Sequence, residues 1–197
     1  MIIIGITGSI GMGKTTVASM LSIFNIPIYD ADYEVKKIIE NSNLVKKKIK
    51  QEWPNVVYKK KGKDEVNKSK LGELIFKNMR YKVKLEEIIH PLVRKKRNIF
   101  LNKYKNIKKI VAMDVPLLYE TGVDKICNYI FLALTSEENQ KKRVLKRSNM
   151  TEEKLLLIKK NQWSDNMKQS KSPYIINTSY GKLFTFTLTV FFLLSVL

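Results

Sequence analysis

The chain has 197 residues, of which 44% are hydrophobic and 28% are charged. This length suits one compact domain with a small inserted lobe, and the composition excludes a disordered chain. The formal net charge of +19 by itself favours a polyanionic partner such as nucleic acid. Only five of the 37 basic residues are arginine, however, the residue best suited to bidentate recognition of phosphates and bases. We therefore interpret the charge as a solvated, lysine-rich surface and expect no nucleic-acid partner.

Cys127 is the single cysteine, so no disulfide can form within the chain. This favours a reducing compartment, and we expect a cytoplasmic protein. The first residues form a short apolar run and then a glycine-rich loop, without the basic segment and cleavage pattern of a secretory signal.

The first thirty residues predict a strand, a glycine-rich loop, a helix and a second strand. Residues 1–6 are an isoleucine-rich run typical of a strand buried on both faces. Apolar residues recur at helical spacing over 14–24, and a second apolar run at 26–29 is stopped by Asp30. A strand–helix–strand unit implies a right-handed crossover and a parallel sheet.

Residues 31–106 predict an inserted lobe, which is rich in Lys and Glu and mostly helical, with one break near 53–62. An insertion between strands in this position could cover a substrate. Ser136 and Thr151 are each followed by two glutamates, a pattern typical of helix N-termini. The remaining apolar runs predict further strands at 109–114, 129–134 and 174–176.

The C-terminal segment 183–197 is apolar apart from Thr and Ser and carries no charged side chain. Its length falls short of the ~20 residues that a membrane-spanning helix needs. Three interpretations stay open, namely a buried C-terminal helix or strand, an altered chain end, and a membrane tail anchor. Any membrane association is expected through this segment only.

Residues 8–15 read GSIGMGKT and match the phosphate-loop pattern in full. The glycines let successive N–H groups converge on phosphate oxygens, and the following helix N-terminus adds a positive field. Lys14 can reach the β- and γ-phosphates, and the Thr15 hydroxyl can bind Mg²⁺. The predicted ATP-binding residues of this loop are Gly8, Gly11, Met12, Gly13, Lys14, Thr15 and Thr16.

Acidic residues follow two of the predicted strands. Asp30 and Asp32 lie at the carboxyl end of the second strand, the edge that faces ligands in a doubly wound sheet. One carboxylate there can accept a proton from an attacking hydroxyl, while the other can orient a metal or cap the helix. Asp114 ends another apolar run, in the manner of a Walker B acid near Mg²⁺.

Arg143 and Arg147 are four residues apart and are predicted to share one helix face. Two interpretations stay open for them: stabilisation of a transferring phosphoryl group, or surface pairs with Glu137 or Glu138. His90 is the only histidine of the chain, and a lone histidine on a helix is more often structural. We expect the proline that follows it to mark a break or a helix first turn.

Together these motifs resemble the dephospho-CoA kinase family over roughly residues 1–180. The most specific parts are the second aspartate of Tyr-Asp-Ala-Asp, the His-Pro pair, and Pro-Leu-Leu-Tyr-Glu after Asp114. The runs that carry the resemblance are residues 5–16, 29–32, 88–93, 114–120, 142–147 and 174–179.

The resemblance implies ATP-dependent, Mg²⁺-assisted phosphorylation of the 3′-hydroxyl of dephospho-CoA to coenzyme A. It implies that Asp32 is the base and that Lys14 and Arg143 stabilise the moving phosphoryl group, with Thr15 and Asp114 on the metal. Further implied contacts are Arg147 and Asn177 to ATP, and Asp32, His90, Pro116, Leu117 and Glu120 to the acceptor.

The implied fold is a P-loop NTPase, a three-layer α/β/α arrangement with a parallel sheet, an inserted lobe and a lid. The core is expected at 1–30 and 107–147, the helical acceptor-binding lobe at 31–106, the lid at 148–170 and the apolar tail at 181–197. We expect a monomer or a weak oligomer. Two departures from the family pattern are Asn177, where an acidic residue is usual, and the apolar tail in place of an amphipathic helix.

Three alternative functions stay open at this stage. Another small P-loop kinase could act on a nucleoside or a nucleotide, but the inserted lobe offers few arginines to hold a second phosphate: Arg80, Arg94 and Arg97. The charge suggests a nucleic-acid-stimulated ATPase, which would bind with a steep salt dependence. The apolar tail suggests a membrane-tethered protein.

Overall fold

A computed structural model of the chain describes residues 1–148 and 150–197. The described residues form two compact units, one comprising 1–30 and 103–197 and the other 31–102. In chain order the elements are β1 (Ile2–Thr7), α1 (Lys14–Ile23), β2 (Ile28–Asp30), α2 (Ala31–Asn41), α3 (Asn43–Glu52), β3 (Val57–Lys60), β4 (Lys63–Val66), α4 (Lys68–Lys77), α5 (Met79–Tyr104), β5 (Ile110–Asp114), β6 (Tyr129–Leu134), α6 (Glu137–Leu145), α7 (Glu152–Lys160), α8 (Asp165–Lys171), β7 (Tyr174–Asn177) and α9 (Gly181–Ser195), with 3-10 turns at Pro54–Val56 and Val123–Ile126.

The first unit is built on a parallel sheet in the order β2-β5-β1-β6-β7. Its central strands are apolar on both faces, and Ile4, Ala112 and Phe131 are fully buried. Helices α1 and α9 contribute Leu21 and Leu193 to the same core. A parallel sheet flanked by helices confirms the predicted fold class.

The second unit has an apolar core of its own, formed by helical side chains and by one face of a β-hairpin. Ile49 and Trp53 are buried there together with Ile88 and Ile89 of α5. The predicted break near 53–62 is a 3-10 turn followed by the antiparallel pair β3–β4. This hairpin was not predicted from the sequence, because its lysines and acidic residues mask the alternation of a strand.

The structure contains both predicted helix N-caps, but it has no break at the predicted proline. The side chains of Ser136 and Thr151 accept hydrogen bonds from the N–H groups of Asn139 and Lys154, which confirms both N-caps. Pro91 lies inside α5, so the predicted break or helix start at this proline is wrong. The surrounding helix-favouring residues and the buried Ile88 and Ile89 outweigh the one backbone hydrogen bond that a proline removes.

The apolar tail forms helix α9, which packs against the first unit. Leu193 and Val196 are buried in the sheet core, and the ring of Phe192 lies 5.5 Å from the ring of Tyr174. Within the part of the chain that the structure describes, no helix combines the length and the apolar character needed to cross a bilayer. Of the three interpretations of this segment, a packed C-terminal helix is the one that the structure supports.

Candidate active site

The phosphate loop connects β1 to α1, and its glycines adopt angles that other residues avoid. Gly11 has φ 80° and Gly13, which caps α1, has φ 93°. A Cβ atom on Gly11 would lie 2.6 Å from Val144 Cγ2, and one on Gly13 would lie 2.9 Å from Thr178 Oγ1. Both positions therefore need glycine for backbone angle and for space.

Lys14 forms an ion pair with Asp114, which is only 2% exposed. Strand pairing brings the two side chains together, because Asp114 ends β5 and is in register with Ile6 of β1, just before the loop. The same edge carries Asp30, which is in register with Asp114 across the β2–β5 pair. Thr15 follows Lys14 in the first turn of α1. The carboxyl edge of the sheet thus presents a cation, a hydroxyl and acidic groups beside the loop, as the strand-end pattern predicts.

Arg143 of α6 reaches the phosphate loop rather than the glutamates of its own helix. Its guanidinium donates to the carbonyl oxygen of Thr178 at 2.7 Å, to Thr178 Oγ1 at 2.8 Å and, more weakly, to the carbonyl oxygen of Gly11 at 3.4 Å. Thr178 Oγ1 in turn donates to the carbonyl oxygen of Met12 at 2.8 Å. The positive charge of Arg143 is therefore held beside the loop by two hydrogen bonds to Thr178.

Arg147 does not share the helix face of Arg143, so that prediction is wrong. Helix α6 ends at Leu145, and Arg147 follows it as an exposed residue. Glu137, one of the surface partners considered for the arginines, is paired instead with Lys159 of α7 at 3.0 Å. The i, i+4 relation fails because the helix stops two residues before Arg147.

A buried lysine of α8 contacts the phosphate loop through Ser9. Lys168 of α8 is fully buried, and its Nζ donates to Ser9 Oγ at 3.1 Å and lies 3.6 Å from Glu120 Oε1. Ser9 Oγ donates to Asp165 Oδ1 at 2.6 Å. Burial lowers the pKa of the Lys168 ammonium, and the carboxylates of Glu120 and Asp165 only partly offset this.

The segment before α8 also supports the loop. The Ile10 N–H donates to Gln162 Oε1 at 3.3 Å, and the Trp163 N–H donates to Glu120 Oε1 at 2.7 Å. The ring of Trp163 is stacked on that of Tyr119, with the centroids 5.4 Å apart and the planes 6° from parallel. The contacts of Gln162, Trp163, Lys168 and Thr178 around the loop were not predicted from the sequence, since only the fold brings these distant residues to it.

The remaining predicted residues are divided between the two units. Asp32 lies in the first turn of α2, and His90 lies on α5, both within 31–102. In the other unit the carbonyl oxygen of Pro116 accepts from Thr7 Oγ1 at 3.2 Å, and the half-buried Leu117 follows it. Asn177 ends β7, where its side-chain oxygen accepts from the Ser179 N–H at 2.9 Å.

No group of three or more His, Cys, Asp or Glu side chains suitable for a metal ion occurs within residues 1–148 and 150–197. One hydroxyl and one carboxylate nevertheless fit the way Mg²⁺ is held in phosphoryl-transfer enzymes. There the ion takes one or two protein oxygens together with waters and the phosphates of the substrate. Thr15 and Asp114 are of the right type for this.

A parallel sheet whose first strand leads into a phosphate loop, with Lys14, Asp114 and Arg143 around that loop, defines a P-loop kinase. The family model described as dephospho-CoA kinase matches residues 2–182, and the chain belongs to this family. The resemblance found in the sequence is thereby confirmed.

Relatives and solved structures agree with this assignment. Proteins named dephospho-CoA kinase from Nitrobacter winogradskyi and Agrobacterium fabrum are 36% and 35% identical to the chain over 182 residues. These matches cover 92% of this chain and 88% and 91% of the relatives. The structure of TT1252 from Thermus thermophilus has a TM-score of 0.84 and 28% identity, covering 100% of this chain and 97% of that one. Dephospho-CoA kinase from Campylobacter jejuni, at 23% identity and a TM-score of 0.72 over 98% and 96% of the two chains, shares the fold.

Proposed function

We propose that the chain transfers the γ-phosphoryl group of ATP to the 3′-hydroxyl of the ribose of dephospho-CoA, which gives coenzyme A. The family match over residues 2–182 carries this proposal. The contacts around the phosphate loop support the nucleotide half of it, because the Lys14 ammonium lies in the loop and the Arg143 guanidinium donates to the carbonyl oxygen of Gly11, which places two cations at the loop.

We expect the ion pair of Lys14 with Asp114 to break when a nucleotide binds. The β- and γ-phosphates offer the Lys14 ammonium stronger anionic partners than one carboxylate does. Asp114 then becomes available, with Thr15, to hold Mg²⁺, which supplies neutralisation of the phosphate charge when it is bound. Arg143 stays fixed by Thr178 and stabilises the charge that develops on the transferring group.

Asp32 is proposed as the general base, on the family resemblance and on its place two residues beyond β2. The 3′-hydroxyl oxygen forms a bond to the γ-phosphorus, and the bond from that phosphorus to the β–γ bridging oxygen breaks. The hydroxyl proton passes to the Asp32 carboxylate, and ADP leaves.

The acceptor is proposed to bind to the helical lobe 31–106, with His90 beside it and Pro116 and Leu117 as further contacts. Segment 148–170 is proposed as the lid that excludes water from the bound phosphates. Glu120 is proposed to act through Trp163 and Lys168, because its Oε1 is already engaged by both of them. Arg147 and Asn177 are proposed as outer contacts of ATP.

The test is direct: the full chain is incubated with ATP, Mg²⁺ and dephospho-CoA, and coenzyme A is measured by chromatography. Formation of coenzyme A is expected. Efficient phosphorylation of a nucleoside monophosphate with none of dephospho-CoA would contradict the proposal and favour the other kinase class.

Asp32→Asn tests the base. It is expected to lower kcat by about 100- to 10,000-fold while ATP affinity is unchanged. Glu34→Gln is the matched control, since it removes another carboxylate from the first turn of α2 and should retain activity. Equal activities of the two variants would exclude Asp32 from the base role.

A further inference from the structure

The outer face of α9 is apolar, although it faces water. Leu183, Phe184, Phe191 and Leu194 are 80%, 46%, 63% and 65% exposed, and all lie within a single 15-residue helix. The family match ends at residue 182, so nearly all of this surface lies outside the part of the chain that the family model matches.

The inner face of the same helix is mixed: Leu193 lies in the sheet core, and two threonines are buried on the same side of the helix. Thr185 and Thr189 are buried against the first unit. Their hydroxyls donate within the helix, to the carbonyl oxygens of Gly181 at 2.8 Å and of Thr185 at 2.7 Å. The buried hydroxyls are therefore satisfied within the helix, while the four large apolar side chains of the outer face remain exposed. An exposed apolar surface of this kind indicates an apolar partner.

The apolar surface continues onto the end of α1, and a lysine side chain lies next to it there. Phe24 is stacked on Phe186 of α9 with the ring centroids 6.0 Å apart, and its neighbour Ile23 is 69% exposed. The next residue, Asn25, accepts a hydrogen bond at 3.2 Å from Lys108 Nζ. The exposed Lys109 follows Lys108 in the sequence. The Lys108 ammonium thus adjoins the end of α1 that carries Ile23 and Phe24.

Two partners could cover an apolar surface of this kind, a second copy of the chain or a lipid surface. The net charge of +19 opposes self-association, because two copies repel each other. The same charge is attracted to anionic phospholipid, where lysines near the surface strengthen binding. A 15-residue helix is too short to span a bilayer, so an exposed apolar face on it, with Lys108 nearby, suits the plane of the membrane interface.

We propose that the outer face of α9, together with Ile23 and Phe24, docks onto the surface of an anionic phospholipid bilayer, with Lys108 and Lys109 beside the headgroups. The helix lies in the interface and does not cross it. Kinase chemistry has no part in this attachment, so the two can be tested separately.

The experiment is flotation of the full chain with vesicles of phosphatidylcholine, with and without phosphatidylglycerol. The chain is expected to float with the anionic vesicles and to be released as salt is raised, because salt screens charge interactions at the surface. No flotation with anionic vesicles at low salt would overturn the proposal.

Two sets of substitutions locate the contact. The double variant Phe191→Gln and Leu194→Gln should lower the partition coefficient by about 100-fold. Leu44→Gln with Leu156→Gln is the matched control, since these leucines are 57% and 60% exposed elsewhere and should not change it. Lys108→Gln with Lys109→Gln should lower partition to anionic vesicles by about tenfold.

Two results would contradict these expectations. Equal binding by the Phe191 and Leu194 variant and its control would place the contact elsewhere. The second contradicting result would come from sedimentation equilibrium without lipid. A concentration-dependent dimer that is abolished by the Phe191 and Leu194 substitutions would show that a second copy of the chain covers this face. Circular dichroism and the melting temperature of each variant serve as the check of folding.

Discussion

The two units of the chain hold their proposed functional residues by different means. In the unit with the parallel sheet, the phosphate loop is contacted by polar side chains from distant parts of the sequence: Arg143, Gln162 and Lys168. In the unit 31–102, Asp32 and His90 lie on helices that rest on an apolar core. We therefore expect ATP binding to depend on a hydrogen-bonded network, and the proposed acceptor binding to depend on the integrity of a separate core.

The largest effect is expected from the core of the helical unit. Trp53 is 6% exposed, and its ring packs edge-on against that of Tyr81 with the centroids 5.9 Å apart. Trp53→Ala should lower the free energy of unfolding of this unit by about 3–5 kcal/mol. Circular dichroism in denaturant measures the loss of stability. The rate of phosphoryl transfer should fall, while the ATP affinity measured by titration calorimetry is retained. Parallel loss of both would show that the units do not behave separately.

The next effect is expected in the phosphate loop. Gly11→Ala forces a side chain into a backbone angle of φ 80° and within 2.6 Å of Val144. Strain of about 1–3 kcal/mol should lower ATP affinity by about tenfold or more, measured by calorimetry. Gly72→Ala is the control, because among the described residues the added carbon meets no atom beyond its own helix turn within 4 Å, and an alanine in α4 should stabilise by about 1 kcal/mol. A neutral Gly11→Ala would contradict the geometry of the loop.

A smaller effect is expected from the buried lysine. Lys168→Met removes the cation beside Glu120, whose Oε2 is buried without a hydrogen-bond partner in the described part of the chain. The double variant with Glu120→Gln should be less destabilised than the sum of the single variants, by about 0.5–3 kcal/mol. Denaturant unfolding of all four proteins measures this coupling. Additive effects would mean that the pair contributes nothing as a pair.

The smallest effect concerns a surface pair between α6 and α7. A hydrogen bond from Lys159 and the charge of that residue lower the pKa of Glu137 from 4.5. Because the pKa of this carboxyl is lower in the folded protein than in the unfolded chain, its ionised form stabilises the fold at pH values above the unfolded pKa. This stabilisation is lost as the pH falls from the unfolded pKa through the folded pKa. Glu137→Gln should therefore reduce the melting temperature slightly at neutral pH and not at acidic pH. An equal difference at both would exclude the ion pair as the cause.

The sequence predicted those parts of the molecule that local patterns encode. The phosphate loop, the strands at 110–114 and 129–134 and both serine and threonine caps follow from short runs of residues. The hairpin at 57–66 was missed because charged residues fill its exposed positions. Lys168 could not be recognised as buried, since its partner Ser9 is 159 residues away in the chain. Long-range contacts of this kind depend on the fold, and one sequence does not display them.

The two tryptophans of the chain have a practical consequence, because each unit contains one of them. Trp53 lies in the core of the helical unit, and Trp163 lies beside the residues that contact the phosphate loop. A Trp53→Phe protein would leave a single indole fluorophore next to the nucleotide site. Its emission would then report ATP binding in real time without an attached dye, while Trp163→Phe would give the complementary signal from the helical unit.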